Sequence, residues 1–340
     1  MASALNIEKQ VRVLDVRTSG RVPDEIFTSR EPVVLKRLVG DWPLVKAGFE
    51  GSEAARRYLL SHYQGATVGA SLGAPEADGR VFYNEDLSGP NFSMKRVKLD
   101  EIFNELAAHE SGERPPLIYV ASTTIDTCLP GLRGENALDF GLRDPLASIW
   151  IGNRTRIAAH YDMPDNIACV AVGKRRFTLF PPEELENLYV GPLDMTPAGQ
   201  AVSLVDFHAP DFEKFPKFRQ ALKAAQVAEM EPGDAIYIPG MWWHHVEALS
   251  AFNVLVNYWW RDVPAYMGPP FNALQHAILT IRDLPAHEKK VWQDIFNHYV
   301  FENKDENFEH IPAASRGVLA PMDDTIARRI RAFLLNRLNR

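Results

Sequence analysis

The chain has 340 residues, of which 46% are hydrophobic and 24% are charged, and this balance predicts one or two folded domains with a sizeable core. Its net charge of -7 argues against broad electrostatic binding to nucleic acid or to an anionic membrane. Two cysteines, Cys128 and Cys169, are too few for a disulfide framework or a four-cysteine zinc site. The first residues lack a signal-peptide pattern, and the most apolar stretch, 251–260, is too short to span a bilayer. We therefore expect a cytoplasmic protein that binds neither membrane nor nucleic acid.

The first 115 residues predict a mixture of strands and helices. Residues 32–35 (PVVL) are typical of a short buried strand, and residues 81–83 are strand-like. Apolar residues recur at helical spacing over 53–63 and 99–109, so two helices are predicted there.

From about Pro116 to Arg261 the sequence is rich in short apolar runs bounded by turn residues. The predicted strands of this region cover residues 117–121, 147–151, 158–162, 166–172, 176–180, 235–239, 243–249 and 253–259. Because no helices alternate with them, a parallel doubly wound sheet is disfavoured. The predicted fold class is mainly β with flanking helices, and the jelly roll is the commonest arrangement of eight strands.

Two further segments complete the chain. Residues 206–225 carry aromatics and prolines and are typical of a loop with a short helix. From residue 271 onward the pattern is helical. The last helix carries one apolar stripe, formed by Ile326, Ile330, Phe333, Leu334 and Leu338. This stripe either packs on the chain's own core or forms a homodimer surface. We predict a domain over 1–265, with its jelly-roll core at about 116–261, and a C-terminal helical segment over 266–340.

His160-Tyr161-Asp162 is the first motif with metal-binding chemistry. In a strand, residues two apart project from the same face, so the imidazole of His160 and the carboxylate of Asp162 converge. One more histidine would complete the triad that holds iron(II) and leaves coordination positions open. By itself His-x-Asp is common on ordinary surfaces, so the motif needs support from elsewhere in the chain.

That support comes from a distant segment. Pro-Gly-Asp at 232–234 predicts a turn before an apolar strand, and paired tryptophans then precede two histidines. His244 and His245 point to opposite faces of a strand, so only one of them can be a ligand. His244 shares its face with apolar neighbours and His245 shares its face with Glu247, which favours His244 weakly and leaves His245 a supporting or surface role.

Ordered motifs across the chain resemble the cupin-like JmjC hydroxylases. Besides the two histidine motifs, the resemblance is carried by 173–182 (GKRRFTLFPP), 205–207 (VDF) and 210–212 (PDF). It extends over residues 32–261 and is strongest to the asparaginyl hydroxylases that act on hypoxia-inducible factor. It implies a double-stranded β-helix of the cupin/JmjC type that uses Fe(II), 2-oxoglutarate and O2.

The resemblance also implies a set of site residues. The metal ligands it implies are His160, Asp162 and His244. The residues it implies for the 2-oxoglutarate pocket are Tyr119, Asn166, Arg175 and Asn257, and Trp259 is implied near the substrate.

Arg175 falls where related enzymes place a lysine that pairs with the distal carboxylate of 2-oxoglutarate. A buried dicarboxylate needs a cation at its far end, because an unpaired charge in a closed barrel is costly. Arginine meets this need with a two-pronged fork. Lys174, Arg175 and Arg176 are consecutive, so alternate residues face outward, and a register shift of one residue would replace Arg175 by Lys174.

Two departures from the family pattern bear on function. Ile157 stands where the family often has a hydroxyl that donates to the distal carboxylate, and Thr155 is the nearest substitute on that strand face. Ala201 and Val202 stand where the asparaginyl hydroxylases carry polar residues that hold their target peptide. The second departure leaves the substrate open.

We predict an Fe(II)- and 2-oxoglutarate-dependent dioxygenase that hydroxylates a side chain of a protein or peptide substrate. One alternative is a small-molecule or tRNA hydroxylase, because a fold does not fix its substrate. Another is a non-catalytic metal-binding sensor or scaffold, which Ile157 favours. Methyl-lysine demethylation is disfavoured, because nothing in the sequence resembles an appended chromatin-reading module.

Overall fold

The computed structural model describes residues 5–17 and 20–338, and the chain divides into two units, Met1–Arg261 and Asp262–Arg340. The strands of the first unit are β1 (Lys9–Gln10), β2 (Arg12–Asp15), β3 (Val33–Lys36), β4 (Thr67–Gly73), β5 (Arg80–Val81), β6 (Ser93–Lys98), β7 (Leu117–Thr124), β8 (Leu146–Gly152), β9 (Arg156–Tyr161), β10 (Asp165–Val172), β11 (Arg175–Phe180), β12 (Gln226–Met230), β13 (Ala235–Ile238), β14 (Trp243–Ala248) and β15 (Asn253–Trp260). Its α-helices are α1 (Pro43–Glu50), α2 (Ser52–Ser61), α3 (Leu99–Ala108), α4 (Ile125–Cys128), α5 (Leu132–Glu135) and α6 (Phe218–Ala224). Short 3-10 helices lie at Asp24–Thr28, Pro75–Ala77 and Pro182–Glu186.

The strands form two sheets with apolar side chains between them. A six-stranded sheet has the order β1-β12-β11-β14-β9-β5, and a nine-stranded sheet has the order β2-β3-β13-β10-β15-β8-β7-β4-β6. One buried cluster combines Phe177 and Val246 of the smaller sheet with Ile236 and Leu255 of the larger one. The molecule is therefore a β-sandwich with flanking helices, which confirms the predicted fold class.

The central strands are apolar on both faces because both faces are covered. β10 and β15 are buried along almost their whole length. Their second face packs against residues of α1, α2 and α3, including Leu44, Leu59 and Phe103. The rigid double-sided packing of these strands fixes the wall that carries Asn166 and Asn257.

All eight predicted strands are present, with differences at their ends. β9 ends at Tyr161, so Asp162 lies just beyond the strand that was predicted to contain it. The strand-like run at 81–83 contributes only Arg80–Val81 as β5.

Three longer strands were not predicted: β4, β6 and β12. β6 is a polar, almost fully exposed edge strand without apolar alternation. β4 does alternate, with Val68, Ala70 and Leu72 on its core-facing side, but its residues are mostly small and the run was not recognised as a strand. β12 directly follows α6 and lies between the loop segment predicted over 206–225 and the strand predicted from residue 235, where no element was predicted.

The second unit is helical. It contains α7 (Pro270–Thr280), α8 (Ala286–Phe296) and α9 (Asp324–Leu338), a π-helical turn at Asn297–Phe301, and 3-10 turns at Asp305–Phe308, Ala313–Ser315 and Gly317–Leu319. In the predicted apolar stripe of α9, Phe333 and Leu338 are exposed by 59% and 54%. The role of this stripe, as core packing or as a homodimer surface, stays a prediction. No helix among the described residues is long and apolar enough to cross a membrane.

Candidate metal centre

Three side chains from the predicted triad converge in the first unit. One ligand atom each from His160, Asp162 and His244 lie within 4.8 Å of one another. His244 Nε2 is 3.7 Å from Asp162 Oδ2, and the two imidazole rings have centroids 4.4 Å apart. Within the described part of the chain, no other group of three His, Cys, Asp or Glu side chains meets this distance. Two imidazoles and one carboxylate are a donor set that suits a divalent transition metal.

The pairing of two strands brings the histidines together. β9 and β14 are antiparallel neighbours in which His160 lies opposite His244. Directly opposed residues project from the same face at short distance, so both rings turn toward the space between the sheets. Asp162 joins them from the segment that follows β9.

Backbone carbonyls orient both imidazoles. His160 Nδ1 lies 2.9 Å from the carbonyl oxygen of Ala158, and His244 Nδ1 lies 3.0 Å from that of Trp242. A carbonyl oxygen only accepts, so each ring carries its proton on Nδ1 and presents the Nε2 lone pair to the site. Burial, reinforced by the neighbouring His160, lowers the pKa of His244 to about 4, so its imidazole is neutral at physiological pH.

His245 faces the opposite side of the same strand. It lies opposite Thr178 of β11, and its ring centroid is 4.5 Å from that of Phe207. It is only 4% exposed, so the surface role considered for it is wrong. Its Nε2 is 4.0 Å from Glu247 Oε2, on the side of the sheet away from the metal ligands.

A cavity of about 420 Å³ between the two sheets contains the triad. The same cavity is lined by every other residue predicted for the site: Tyr119, Asn166, Arg175, Asn257 and Trp259. Its volume lies in the range of small-molecule sites. The predicted residues are therefore brought together, while the role of each stays a prediction.

Arg175 is the one lysine or arginine among the described residues lining this cavity, and Asp162 is the one carboxylate. Arg175 is 2% exposed, and its Nε has no hydrogen-bond partner among the described residues. Burial lowers the pKa of Arg175 to about 10, an effect that Tyr119 partly offsets, so the guanidinium stays charged at neutral pH.

The neighbours of Arg175 are occupied elsewhere. The exposed Lys174 pairs with Glu231 at 2.9 Å, and Arg176 pairs with Glu229 at 2.7 Å. The alternation of β11 thus turns Arg175, and not Lys174, toward the cavity.

Further polar atoms of the cavity wall lack partners among the described residues. The indole nitrogens of Trp150 and Trp259 are buried donors without an acceptor. Asn257 Nδ2 donates to Asn166 Oδ1 at 2.8 Å, while Asn257 Oδ1 has no donor. Such groups are costly to bury unless a ligand satisfies them. The two indole donors, together with Arg175, fit an anionic, oxygen-rich ligand, whereas Asn257 Oδ1 requires a donor.

Trp150 was not predicted as a site residue. The strand pattern around it predicts only a place in an apolar strand, but its ring stacks on that of Tyr119 at 6.0 Å between centroids and meets Trp259 edge-on at 5.8 Å. An indole in a strand of mostly aliphatic residues is the signal that could have identified it, because a buried indole N–H requires a partner.

Both departures from the family pattern lie at or next to the lining of the cavity. Ile157 lines the cavity, whereas Thr155 is buried outside the lining and cannot replace the missing hydroxyl there. Residues 197–200, just before Ala201 and Val202, also line the cavity.

A sandwich of two sheets with two histidines and one carboxylate in its interior defines a class of protein, the jelly-roll proteins with a mononuclear metal site. The model of the cupin-like domain matches residues 19–266, and the chain belongs to this family.

Its relatives include proteins named for the JmjC domain. The chain is 27% identical to "Lysine-specific demethylase 8" of Xenopus tropicalis over 70% of this chain and 49% of that protein. It is 24% identical to "Jumonji C domain-containing protein 5" of Drosophila melanogaster over 73% of this chain and 59% of that protein. It is 32% identical to "tRNA wybutosine-synthesizing protein 5" of Danio rerio over 37% of this chain and 33% of that protein. The chain thus spans about half the length, or less, of several curated relatives that it matches.

Proposed function

We propose that this chain is an Fe(II)- and 2-oxoglutarate-dependent oxygenase that hydroxylates a side chain of a protein or peptide. The observation that carries the proposal is the buried guanidinium of Arg175, whose Nε has no hydrogen-bond partner among the described residues, in the cavity where His160, Asp162 and His244 converge. A metal alone needs no such cation. A dicarboxylate that chelates the metal at one end needs both features.

In this proposal the metal is held by the Nε2 atoms of His160 and His244 and by the carboxylate of Asp162. Three protein ligands leave positions for a co-substrate, which is the arrangement used by oxygenases with this donor set. When iron(II), 2-oxoglutarate and O2 are bound, they supply oxidation of a C–H bond coupled to conversion of 2-oxoglutarate into succinate and carbon dioxide.

The protein's own part is to bind, orient and exclude water. Arg175 offers its fork to the distal carboxylate, and Tyr119 offers a hydroxyl whose pKa is raised by burial, so that it stays a donor. Ile157 and Phe177 line the cavity with apolar surface that suits methylene groups and disfavours water. We assign the amide pair of Asn166 and Asn257 to the metal-chelating end.

Trp259 is proposed to stand near the substrate. It lines the cavity beside Trp150, and its indole N–H has no partner among the described residues. A substrate acceptor reaching this wall would satisfy that donor and hold the reacting carbon near the metal ligands.

Anaerobic titration tests the oxygenase itself. Adding iron(II) and then 2-oxoglutarate to the full chain should produce the visible charge-transfer band of their chelate, and oxygen should then yield succinate. Absence of both the band and succinate would reject the oxygenase and favour the metal-binding sensor or scaffold.

A tRNA substrate is the second candidate. Relatives named "tRNA wybutosine-synthesizing protein 5" from several vertebrates favour it, at 29% to 34% identity. The names of the lysine-specific demethylase relatives favour chemistry on an amino-acid side chain, and the net charge of -7 also favours a protein over a polyanion. Cell extract is split into protein and RNA fractions, and each is incubated with the chain. Mass spectrometry should then detect added oxygen in the protein fraction. Gain in the RNA fraction alone would favour the tRNA hydroxylase.

We further propose a homodimer through the C-terminal helices. In the second unit only Phe308 and Ala327 are buried hydrophobic residues among those described, while Leu279, Phe301 and Leu335 are exposed by 62% to 75%. So much exposed apolar surface calls for a covering partner. Light scattering after size exclusion should give twice the chain mass, and Leu335→Glu should give a monomer.

The cytoplasmic setting also remains a proposal. Cys128 and Cys169 are both free and buried, which suits a reducing compartment. Fractionation of cells carrying a tagged full-length protein would test it.

A further inference from the structure

The third proposed metal ligand is held differently from the other two. His160 and His244 are paired across the ladder of β9 and β14. Asp162 lies beyond the end of β9, so no strand pairing fixes its direction. Its backbone is instead tied to the turn that precedes β14, because Met241 N–H donates to the carbonyl oxygen of Asp162 at 2.7 Å.

Met241 makes this contact from an unfavourable backbone conformation. Its φ is +72°, in the left-handed region that residues with a side chain rarely adopt. The strain persists only if surrounding contacts hold the turn in place.

Two such contacts involve the preceding residue, Gly240. Its N–H donates to Asp165 Oδ1 at 2.9 Å. A Cβ at position 240 would overlap the carbonyl oxygen of Met163, so the two ligand-bearing segments touch here with no space for a side chain.

The same carboxylate also connects the turn to the core. Tyr237, 2% exposed, has its hydroxyl 3.2 Å from Asp165 Oδ1 and 3.2 Å from the carbonyl oxygen of Ser29, so these two acceptors share its one proton. Asp165 begins β10, which is buried along most of its length. One carboxylate oxygen therefore joins the central sheet to the strained turn.

We propose that Asp165 is a positioning residue for the metal centre: by accepting from Gly240 it holds the turn whose Met241 N–H fixes Asp162. This inference rests on the proposed metal centre. The role is that of a hydrogen-bond acceptor and does not require charge. An asparagine keeps a carbonyl oxygen at this position, and an alanine does not.

The test measures binding of Co(II) alone to the full-length protein, by calorimetry and by the visible absorption of the bound ion. Asp165→Ala should weaken Co(II) binding by about 10- to 100-fold, the usual effect of removing a group that orients a metal ligand. Asp165→Asn should stay within about threefold of the native protein. Asp211→Ala is the matched control, because Asp211 Oδ1 likewise accepts two backbone N–H groups in a turn, those of Glu213 and Lys214.

A rescue variant separates positioning from general destabilisation. Glycine adopts positive φ without strain, so Met241→Gly added to Asp165→Ala should recover at least tenfold of the lost affinity. Gly240→Ala should weaken Co(II) binding with Asp165 intact. If circular dichroism shows that Asp165→Ala does not fold, Gly240→Ala still tests the inference.

Three results would overturn the inference. The first is that folded Asp165→Ala binds Co(II) as tightly as the native protein. The second is that Asp165→Asn weakens Co(II) binding as much as Asp165→Ala does. The third is that Gly240→Ala binds Co(II) as tightly as the native protein. If the native protein binds no Co(II), or if His244→Ala binds Co(II) equally well, the proposed metal centre itself is rejected instead.

Discussion

The two faces of the six-stranded sheet carry similar residues in different surroundings. Neighbours in sequence, Arg175 and Arg176 on β11 and His244 and His245 on β14, turn to opposite faces. On the outer face Arg176 pairs with Glu229, and His208 lies 2.5 Å from Glu247. On the inner face Arg175 has no carboxylate partner among the described residues.

The difference shows where a ligand belongs. Buried charges that serve only structure are paired within the chain, because unpaired burial is costly. The outer face pairs its charged groups, although the two ring nitrogens of His245 there also lack hydrogen-bond partners among the described residues. The inner face leaves one buried cation without a carboxylate partner, beside two indole N–H donors without acceptors, and this combination in a cavity suits an anionic ligand.

The strongest contrast is between the adjacent histidines. His244→Ala should abolish iron binding and turnover, because it removes a proposed ligand. His245→Ala should keep much of both and mainly lower the melting temperature, since His245 packs on Phe207 away from the cavity. The chelate absorption band and succinate yield measure the first effect, and circular dichroism measures the second. Loss of iron binding in His245→Ala alone would reverse the assignment.

The next largest effect is expected for the pair Arg175 and Arg176. Arg175→Ala should raise the dissociation constant for 2-oxoglutarate by an amount equal to about 2–5 kcal/mol, the cost of truncating one partner of a buried charge pair. Arg175→Lys should recover part of this, because lysine keeps the charge and loses the fork. Arg176→Ala is the control and should change affinity little. Calorimetric titration with 2-oxoglutarate in the presence of a redox-inert metal gives the values.

Metal binding should also stabilise the fold selectively. At a free metal concentration about 100 times its dissociation constant, the free energy of unfolding should rise by about 2.7 kcal/mol. His245→Ala should show this increase and His244→Ala should not. Urea unfolding with and without Co(II) compares them, and equal increases in both variants would indicate binding outside the proposed centre.

The smallest expected effect concerns Trp150. Trp150→Phe removes one indole N–H and keeps an aromatic ring, so ligand binding should weaken by about 1 kcal/mol, the worth of one hydrogen bond. The readout is the dissociation constant of 2-oxoglutarate, measured by calorimetry with a redox-inert metal present. An unchanged constant would mean that this indole does not donate to 2-oxoglutarate.

Local sequence patterns were enough to predict the strand-rich core and two of the candidate metal ligands. Period-two alternation and turn residues are local features, so all eight core strands and the candidate pair of His160 and Asp162 were readable without a structure. The same locality explains the misses. Exposed β6 has no apolar alternation, since it is held by pairing with β4 rather than by burial of every second residue. β4 does alternate at Val68, Ala70 and Leu72, but its small, weakly apolar residues give only a faint signal.

The tertiary structure decided what depends on register between distant strands. Whether Lys174 or Arg175 faces the cavity differs by one residue, and only the pairing of β11 with β14 sets it. The position of Asp162 beyond β9, tied to Met241, and the donors of Trp150 and Trp259 in one wall also depend on contacts between remote segments. Sequence patterns report which face a side chain takes, whereas long-range packing determines which other side chains it meets there.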